Sequence, residues 1–342
     1  MNRPLRLRLD RATLQHNWRW LEERAGVPAG AAIKADGYGI GAGDTMRALH
    51  EAGCRMFFVS TYAEAEDLGP VPGDSSLVVL HGVGPDDVDA AIRFDARPVL
   101  NSAEQIARWK AIAPERAVDV MIDTGMNRLG LRPDEIAAVE GLTIDTLHSH
   151  LACADEDSRM NARQLADFRE VASAVPAKRR AIANSAGICL GRDYSFDLVR
   201  PGLSVYGGIP RAEAGGAIRQ VVCVEAQVVQ RRRIRTGESC GYGATFVAPA
   251  DTEAAIVNVG YADGYLRSFS SRGSAFAGEF TLPVLGRVSM DLLALGCEAV
   301  ADLKEGDWVE LDYDLPTASE ASGLTQYELL TTLGSRFERI WA

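Results

Sequence analysis

Short apolar runs that close on a polar residue alternate with stretches of helical periodicity over the first two thirds of the chain. The runs are AAIKAD (31–36), MFFVST (56–61), LVVLHG (77–82), RPVLNS (97–102), VDVMIDTG (118–125), IDTLHSH (144–150), RRAIANS (179–185) and DLVRPG (197–202). Rich in apolar and β-branched residues and bounded by turn formers, they read as strands. Between them DTMRALHEAG, AEAEDLG, DDVDAAIRFD, AEQIARWKAIA, PDEIAAVEG and MNARQLADFREVASA space their apolar residues as helices do. AGICLG forms a short, weakly patterned last crossover. Ser102 followed by Gln105 has the spacing of a capping box. Eight strands in βα alternation predict an α/β fold, a (β/α)8 TIM barrel, with a doubly wound open sheet as the alternative. In a barrel the polar residues that close the runs fall at the C-terminal ends of the strands. These are Lys34, Thr61, His81, Asn101 with Ser102, Asp123, His150, Ser185 and Arg200, and barrel enzymes carry their active sites at that face.

The pattern changes near residue 214. AEAGGAIRQ reads as a linker, and strand-like runs without intervening helices follow: CVEAQVVQRRRI, EAAIVNVGY, FTLPVLGRVSMDLLALG and DWVELD. With the turns TGES, PADTE and KEGD they predict a smaller, mostly β C-terminal domain, closed by a final helix, LTQYELLTTLG. The division is a barrel domain over 1–213 and a β domain over 214–342, with the first residues, up to about Leu9, pairing with the second domain.

Composition narrows the function classes. A net charge of −11 without a concentrated basic stretch argues against a nucleic-acid partner; Arg231–Arg233 read as a solvated strand edge. No apolar run reaches membrane-span length, and MNRPLRLRLDRATL has no apolar leader segment, so a cytoplasmic location is expected. The six scattered cysteines form no C-x-x-C pair, which suggests reduced thiols and no metal. Lysine is rare: Lys34, Lys110, Lys178 and Lys304 stand against 32 arginines among 36 basic residues. Arginine stays protonated and cannot serve as an amine nucleophile. A lysine closing a buried strand therefore draws the eye, although the composition of the genome gives the same bias.

An amine at a strand end, partly desolvated by a barrel interior, loses proton affinity and gains nucleophilicity. Gly37, Gly39, Gly41 and Gly43 follow Lys34 and let backbone approach a ligand; a salt-bridged lysine in a glycine-rich loop is the plainer alternative. ANSAG (183–187) after strand seven and RPGLSVYGG (200–208) around the end of strand eight offer small residues, a hydroxyl and free N–H groups where barrels bind phosphate. A reactive lysine on strand one and a phosphate cradle after strands seven and eight fit pyridoxal phosphate, held as a Schiff base at one end and by its phosphate at the other. A Schiff-base aldolase is the rival, weakened by the lack of further clustered lysines.

AAIKADGYGIGA, DTGMNRLG, SHLACADED, ANSAG, VRPGLSVYGG, CGYGATF, NVGYADGYLR and LGRVSMD occur in this order. The set resembles alanine racemase, a pyridoxal phosphate enzyme with an N-terminal barrel and a C-terminal β domain. The resemblance implies that Lys34 holds the cofactor and serves as acid/base on one face of the substrate Cα. It implies that Tyr242 is the opposite-face acid/base, delivered by the partner subunit of a homodimer. A free tyrosine titrates near pH 10, too high for a base at neutral pH, and His150 followed by Arg200 resembles the chain that brings such a phenol into range. Arg200 is also implied to face the cofactor's ring nitrogen, keeping it unprotonated and limiting transamination; a solvated arginine before Pro201-Gly202 is the alternative. Tyr38, Ser185, Gly202, Leu203 and Tyr327 resemble the phosphate-binding set. Arg128 and the Met290 N–H resemble the substrate carboxylate contacts. Tyr261, Arg267, Arg287, Asp155 and Asp291 resemble residues of the substrate-access corridor, or are ordinary surface groups.

The chain departs from the family at Met121. Many members carry there a lysine whose carbamate orients the arginine at the Arg128 position, and methionine brings no charge. Asp36, Gly37 and Ile40 also stand where Asn, Ala and His are frequent. Cys153 follows the His150 strand without any sign of a catalytic thiol. The expected function is interconversion of L- and D-alanine. The alternatives are a racemase for serine or a broader range of amino acids, or a non-catalytic pyridoxal phosphate carrier, which would not need the β domain or CGYGATF.

Overall fold

A computed structural model describes residues 3–342. The chain divides into two compact units, one holding the chain up to Thr13 together with Gln220–Ala342, the other Leu14–Arg219.

Strand β1 (Leu5–Leu9) opens the chain and helix α1 (Arg11–Ala25) follows. The Asp10 carboxylate accepts the Thr13 N–H and hydroxyl, both at 2.8 Å, which satisfies donors a helix start leaves free. Leu14, Trp18, Leu21 and Ala25 are buried along one face of α1, the spacing a 3.6-residue period demands.

The second unit is a parallel sheet of strands in consecutive order: β2 (Ala31–Ala32), β3 (Met56–Val59), β4 (Ser76–Val79), β5 (Ala96–Leu100), β6 (Val118–Met121), β7 (Ile144–His148) and β8 (Arg179–Ala181). The eighth run closes it. On one side the Asp197 and Arg200 N–H groups donate to the Arg180 and Ala183 carbonyls. On the other, Gly30 and Ala32 donate to Val199 and Pro201, and Ala29 bridges Val199 in parallel. Proline has no N–H to continue a ladder, so Pro201 serves only as an acceptor and the segment stays irregular. Helical segments lie between and after the strands: α2 (Lys34–Tyr38), α3 (Ala42–Ala52), α4 (Tyr62–Leu68), α5 (Val88–Arg93), α6 (Ala103–Ile112), α7 (Arg159–Ala174) and α8 (Ser185–Cys189). Every residue of β3, β6 and β7 is buried, as strands covered on both faces require.

The predicted strands run too far at their C-terminal ends. The first stops at Ala32 instead of residue 36, because Lys34 already begins a turn. PDEIAAVEG is a 3-10 segment, Pro133–Val139. Ser102 caps α6 by accepting the Gln105 N–H at 3.3 Å, but the Gln105 side chain accepts from Asn101 and donates to the His81 carbonyl, so the box is only half formed.

In the first unit, β9 (Val222–Ile234), β10 (Ser239–Cys240), β11 (Phe246–Val247), β12 (Thr252–Val257), β13 (Ser274–Ala277), β14 (Phe280–Leu285), β15 (Leu293–Gly296) and β16 (Trp308–Leu311) are joined by antiparallel pairings. The order β12-β15-β14-β13-β16-β9 returns to β12, so the ring closes and no edge remains along it. Helices α9 (Leu315–Ser322) and α10 (Gln326–Thr331) follow. The helix expected to end the chain is α10, but β17 (Glu338–Trp341) comes after it and lies parallel to β1, which also pairs with β9. Among the described residues no helix is long and apolar enough to cross a membrane.

Candidate active site

Lys34 follows Ile33, whose N–H donates to the Phe58 carbonyl at the end of the β2 ladder. The chain then turns left-handed: Ala35, Asp36, Gly37 and Tyr38 all have φ between 51° and 61°. Three of these are not glycine, at a cost of about 1–2 kcal/mol each. The turn is held by Gly37 N–H to Ile33 and Gly39 N–H to Ala35. Glu64 braces it from α4, its carboxylate accepting the Ala35 N–H at 2.9 Å and the Ser60 N–H at 2.6 Å. Lys34 is thereby fixed, half-buried, at the sheet's C-terminal edge. Its amine loses proton affinity through burial first and through the Arg128 and Arg200 charges, with Glu64 opposing.

Arg200 lies buried among acceptors. Nη1 donates to the Ala181 carbonyl at 2.9 Å and to His148 Nδ1 at 3.1 Å. Nη2 donates to the Ser149 carbonyl at 2.8 Å and meets His150 Nδ1 at 3.5 Å. Burial, then the Arg200, Arg128 and Lys34 charges, push His150 down to about 3, so the imidazole is neutral at working pH. Gln164, fully buried on α7, ties the loops above: it donates to Thr124 Oγ1 and the His150 carbonyl and accepts the Ala152 N–H. Arg128 is exposed on the loop that Asp123 organises by accepting the Gly125 and Asn127 N–H groups. Met121 is buried on β6 beside His148 in register.

At the ends of strands seven and eight, Ser185 Oγ accepts the Gly202 and Ser204 N–H groups at 3.0 and 3.1 Å, leaving its hydroxyl proton to donate. Tyr38 is buried and stacks on Tyr206 with ring centres 4.6 Å apart. Gly202 packs against the Tyr38 hydroxyl so closely that a Cβ would lie 2.2 Å from it. Leu203 is buried, and the buried Ser204 Oγ has no hydrogen-bond partner. Tyr38, Ser185, Gly202, Leu203 and Ser204 thus share one locale. Asp155 is exposed on the loop after β7.

The remaining predicted residues lie in the other unit. Tyr242 sits at the tip of the β10–β11 hairpin, 70 % exposed, where Gly241 and Gly243 take positive φ. A Cβ at Gly243 would meet the Arg287 guanidinium at 2.8 Å. The Tyr261 and Ala262 N–H groups donate to the Ser289 and Met290 carbonyls, joining the GYADG and SMD loops. Arg336 ties the same loops: it donates twice to the fully buried Asp263, at 2.6 and 2.7 Å, and once to Asp291, at 2.7 Å. Met290, Arg267 and Arg287 are exposed, as is Tyr327 on α10.

The sequence reading passes over Glu64, Asp119, His148, Gln164 and Arg336. Three had a signal: Thr61-x-x-Glu64 has capping-box spacing, and Asp119 and His148 interrupt otherwise apolar strands.

These residues fit pyridoxal phosphate. A half-buried amine of weakened basicity suits its aldehyde. The unpartnered buried Ser204 hydroxyl and the Ser185 hydroxyl proton suit its phosphate. The cations Lys34, Arg128 and Arg200 suit its negative charge.

The chain matches the family described as alanine racemase, N-terminal domain, over residues 9–210 and alanine racemase, C-terminal domain, over 221–341. It is 40 % identical to the catabolic alanine racemase of Agrobacterium fabrum, covering 97 % of this chain and 91 % of that one. It is 39 % identical to the alanine racemase of Dinoroseobacter shibae, covering 98 % and 97 %. Among solved structures, the alanine racemase of Bartonella henselae with covalently bound pyridoxal phosphate superposes with a TM-score of 0.92 at 32 % identity, over the full length of both chains. The carrier and aldolase alternatives and the open sheet fall away, and the chain belongs to the alanine racemase family, an isomerase that interconverts the enantiomers of alanine with pyridoxal phosphate.

Proposed function

We propose that Lys34 and Tyr242 are the two acid/base groups of this racemase, one on each face of the substrate Cα. The carrying observation is the Lys34 amine, half-buried and made less basic by its surroundings, braced by Glu64 at a strand end. When bound, pyridoxal phosphate supplies the electron delocalisation that lets the Cα proton leave. Racemisation then needs a proton removed on one face and returned on the other, and a single base would return it to the same face. Lys34 Nζ, with lowered proton affinity, takes or gives the proton on its side at neutral pH. Tyr242 does so on the other.

Tyr38, Ser185, Gly202, Leu203 and Tyr327 are assigned to the cofactor phosphate, and Arg200 to its ring nitrogen. As a donor that keeps its own proton, Arg200 leaves that nitrogen unprotonated and the ring a weaker electron sink, favouring return of the proton to Cα over transamination. His150, neutral and anchored through Nδ1 to Arg200, carries its proton on Nε2 and orients Tyr242. Arg128 and the Met290 N–H hold the substrate carboxylate. Tyr261, Arg267, Arg287, Asp155 and Asp291 shape the access corridor.

Tyr242 stands out on its hairpin, and we assign it to the active site of a second copy, so the working form is a homodimer in the cytoplasm. Mixing Lys34→Ala and Tyr242→Phe chains tests both roles at once. Each mixed dimer holds one intact pair, and statistical assortment restores about a quarter of the wild-type activity. Mixed dimers shown to form but left inactive would overturn the assignment. Borohydride reduction of the resting enzyme, with the phosphopyridoxyl group mapped by peptide mass, is expected to mark Lys34. A label on Lys110, Lys178 or Lys304 refutes its role.

A further inference from the structure

Two side chains that the racemase chemistry above does not use lie directly behind Arg200. Asp119 on β6 and His148 on β7 are both fully buried inside the barrel, where branched apolar residues ordinarily pack in layers. His148 Nε2 lies 2.9 Å from Asp119 Oδ2, and His148 Nδ1 lies 3.1 Å from Arg200 Nη1. Asp119 Oδ1 accepts the Thr146 N–H at 3.1 Å and faces Arg97 Nε at 2.8 Å. The groups around the imidazole are Arg97 from β5, Asp119 from β6, His150 on its own strand, Arg200 from the eighth run and the edge-on Phe58 ring from β3.

The proton positions follow from the donor inventory. A guanidinium only donates, so His148 Nδ1 must accept and the ring proton must sit on Nε2, aimed at Asp119. Burial and the Arg200 and Arg97 charges hold the ring neutral against the pull of Asp119. We infer that Asp119 and His148 are positioning residues for Arg200: the carboxylate fixes the tautomer of the imidazole, and the imidazole fixes the plane and edge that the guanidinium presents to the cofactor's ring nitrogen. This rests on the assignment of Arg200 to that nitrogen made above. Buried charges such as Asp119 and Arg200 are no more stabilising in a barrel interior than good apolar packing. What they supply is a fixed direction for the hydrogen bonds that run from Arg200 through His148 to Asp119, with the Arg97 charge paired to Asp119 at the far end.

The decisive substitution is Asp119→Asn. Oδ1 is held toward two donors, Thr146 N–H and Arg97, so the new amide NH2 faces His148 Nε2. The ring must then accept there and carry its proton on Nδ1, where it opposes the Arg200 N–H. Displaced, Arg200 no longer keeps the ring nitrogen unprotonated. Two readouts on the holoenzyme follow: the visible absorption band of the resting cofactor, and the pyridoxamine phosphate formed, with equimolar pyruvate, per alanine racemised. The band is expected to shift and the side product to rise by about 10- to 100-fold, the size of effect that outer-shell hydrogen-bond partners have on the residues they orient at metal sites. His148→Phe, which removes the acceptor while leaving Asp119 with Thr146 and Arg97, is expected to act in the same direction and decides the matter should Asp119→Asn not fold. Arg200→Lys is the reference. If Arg200→Lys changes both readouts while the folded Asp119→Asn and His148→Phe enzymes match wild type, the positioning role is overturned and the Arg200 assignment stands. If Arg200→Lys changes neither, the Arg200 assignment itself fails, and this inference with it.

Discussion

Replacing Gly202 by alanine tests the cofactor locale with the least chemistry. The added Cβ would sit 2.2 Å from the Tyr38 hydroxyl oxygen and 2.8 Å from its ring carbon, where ordinary contact begins at 3.4 Å. Tyr38 cannot swing away cheaply. Its ring stacks on the fully buried Tyr206, which is itself anchored by a 2.7 Å bond from its hydroxyl to the Ala32 carbonyl. Tyr38 also leaves a strained left-handed turn with φ at 53°. The Gly202 segment must therefore move, and with it the Gly202 N–H that donates to Ser185 Oγ. Overpacking of this kind costs about 1–3 kcal/mol of folding stability, and whatever part of it is felt only with the cofactor bound weakens the Kd, by up to about 150-fold. The assay is a pyridoxal phosphate titration of the apoprotein, with an unfolding curve on the same sample. Tyr38→Phe removes the worst contact, so Gly202→Ala in that background should lose less: the two changes should couple by about 0.5–1 kcal/mol or more. Additive losses, or an unchanged Kd in the single variant, would refute the geometry of the cradle.

Arg336→Ala leaves the fully buried Asp263 carboxylate without its bidentate partner. Because the guanidinium is half-exposed, the low end of the buried-pair range applies, about 3 kcal/mol. A thermal or urea unfolding loss no larger than an ordinary surface change of about 0.5 kcal/mol contradicts it. His150 titrates at about 3 in the folded chain and near 6.5 when unfolded, so the unfolded state binds its proton first. Its contribution is complete above pH 6.5 and is lost as pH falls toward 3, which gives the apoprotein about 2 kcal/mol less stability at pH 5 than at pH 7. Burial lowers His148 in the same direction. His150→Gln should flatten the profile, and an unchanged slope in that variant rules out this source. Met121→Lys places an amine able to form a carbamate on β6, where the Met121 carbonyl accepts the Leu131 N–H at the end of the Arg128 loop. Partly exposed ion pairs are worth about 0.2–1 kcal/mol, so kcat/KM for alanine should change by about 1.4- to fivefold. No change, with the carbamate confirmed by mass, removes Met121 as the reason for any difference from carbamylated relatives.

The order of the barrel strands was legible because each run closes on a turn and alternates with a helical period, and that order places Lys34, His150, Ser185 and Arg200 at one face without any coordinates. Helix α1 was legible too, in the buried spacing of Leu14, Trp18, Leu21 and Ala25 behind Asp10, although the reading assigns it no element. Other features depend on partners far away in sequence. Nothing in Ala35, Asp36 or Tyr38 favours a left-handed turn; the Glu64 carboxylate, nearly thirty residues on, holds it. Strand β17 exists because it finds β1 more than 300 residues earlier. Asp119 and His148 announce themselves as polar residues in apolar strands, but their pairing depends on the register of β6 and β7, which shifts by a bulge between Val118 and Asp119. A one-residue slip in a strand turns a side chain to the opposite face.

The electrostatics of the site explain how a chain with a net charge of −11 can recruit an anionic cofactor. Arg128 and Arg200 bear on Lys34, and all three bear on His150, and Glu64, the carboxylate that opposes them at Lys34, is already committed to two backbone N–H groups. Like charges gathered at reduced solvation repel, and each lowers the proton affinity of the others' neighbours. The groups with mobile protons respond: Lys34 becomes less basic and His150 stays neutral. Arg200 cannot shed its charge easily and is surrounded instead by carbonyl and imidazole acceptors. Burial first and this repulsion second make the amine less basic, and the cations left at the sheet's C-terminal edge suit a phosphate and a carboxylate. Replacing Arg128 by a neutral residue would weaken both effects together, making Lys34 more basic while loosening the carboxylate it must work on.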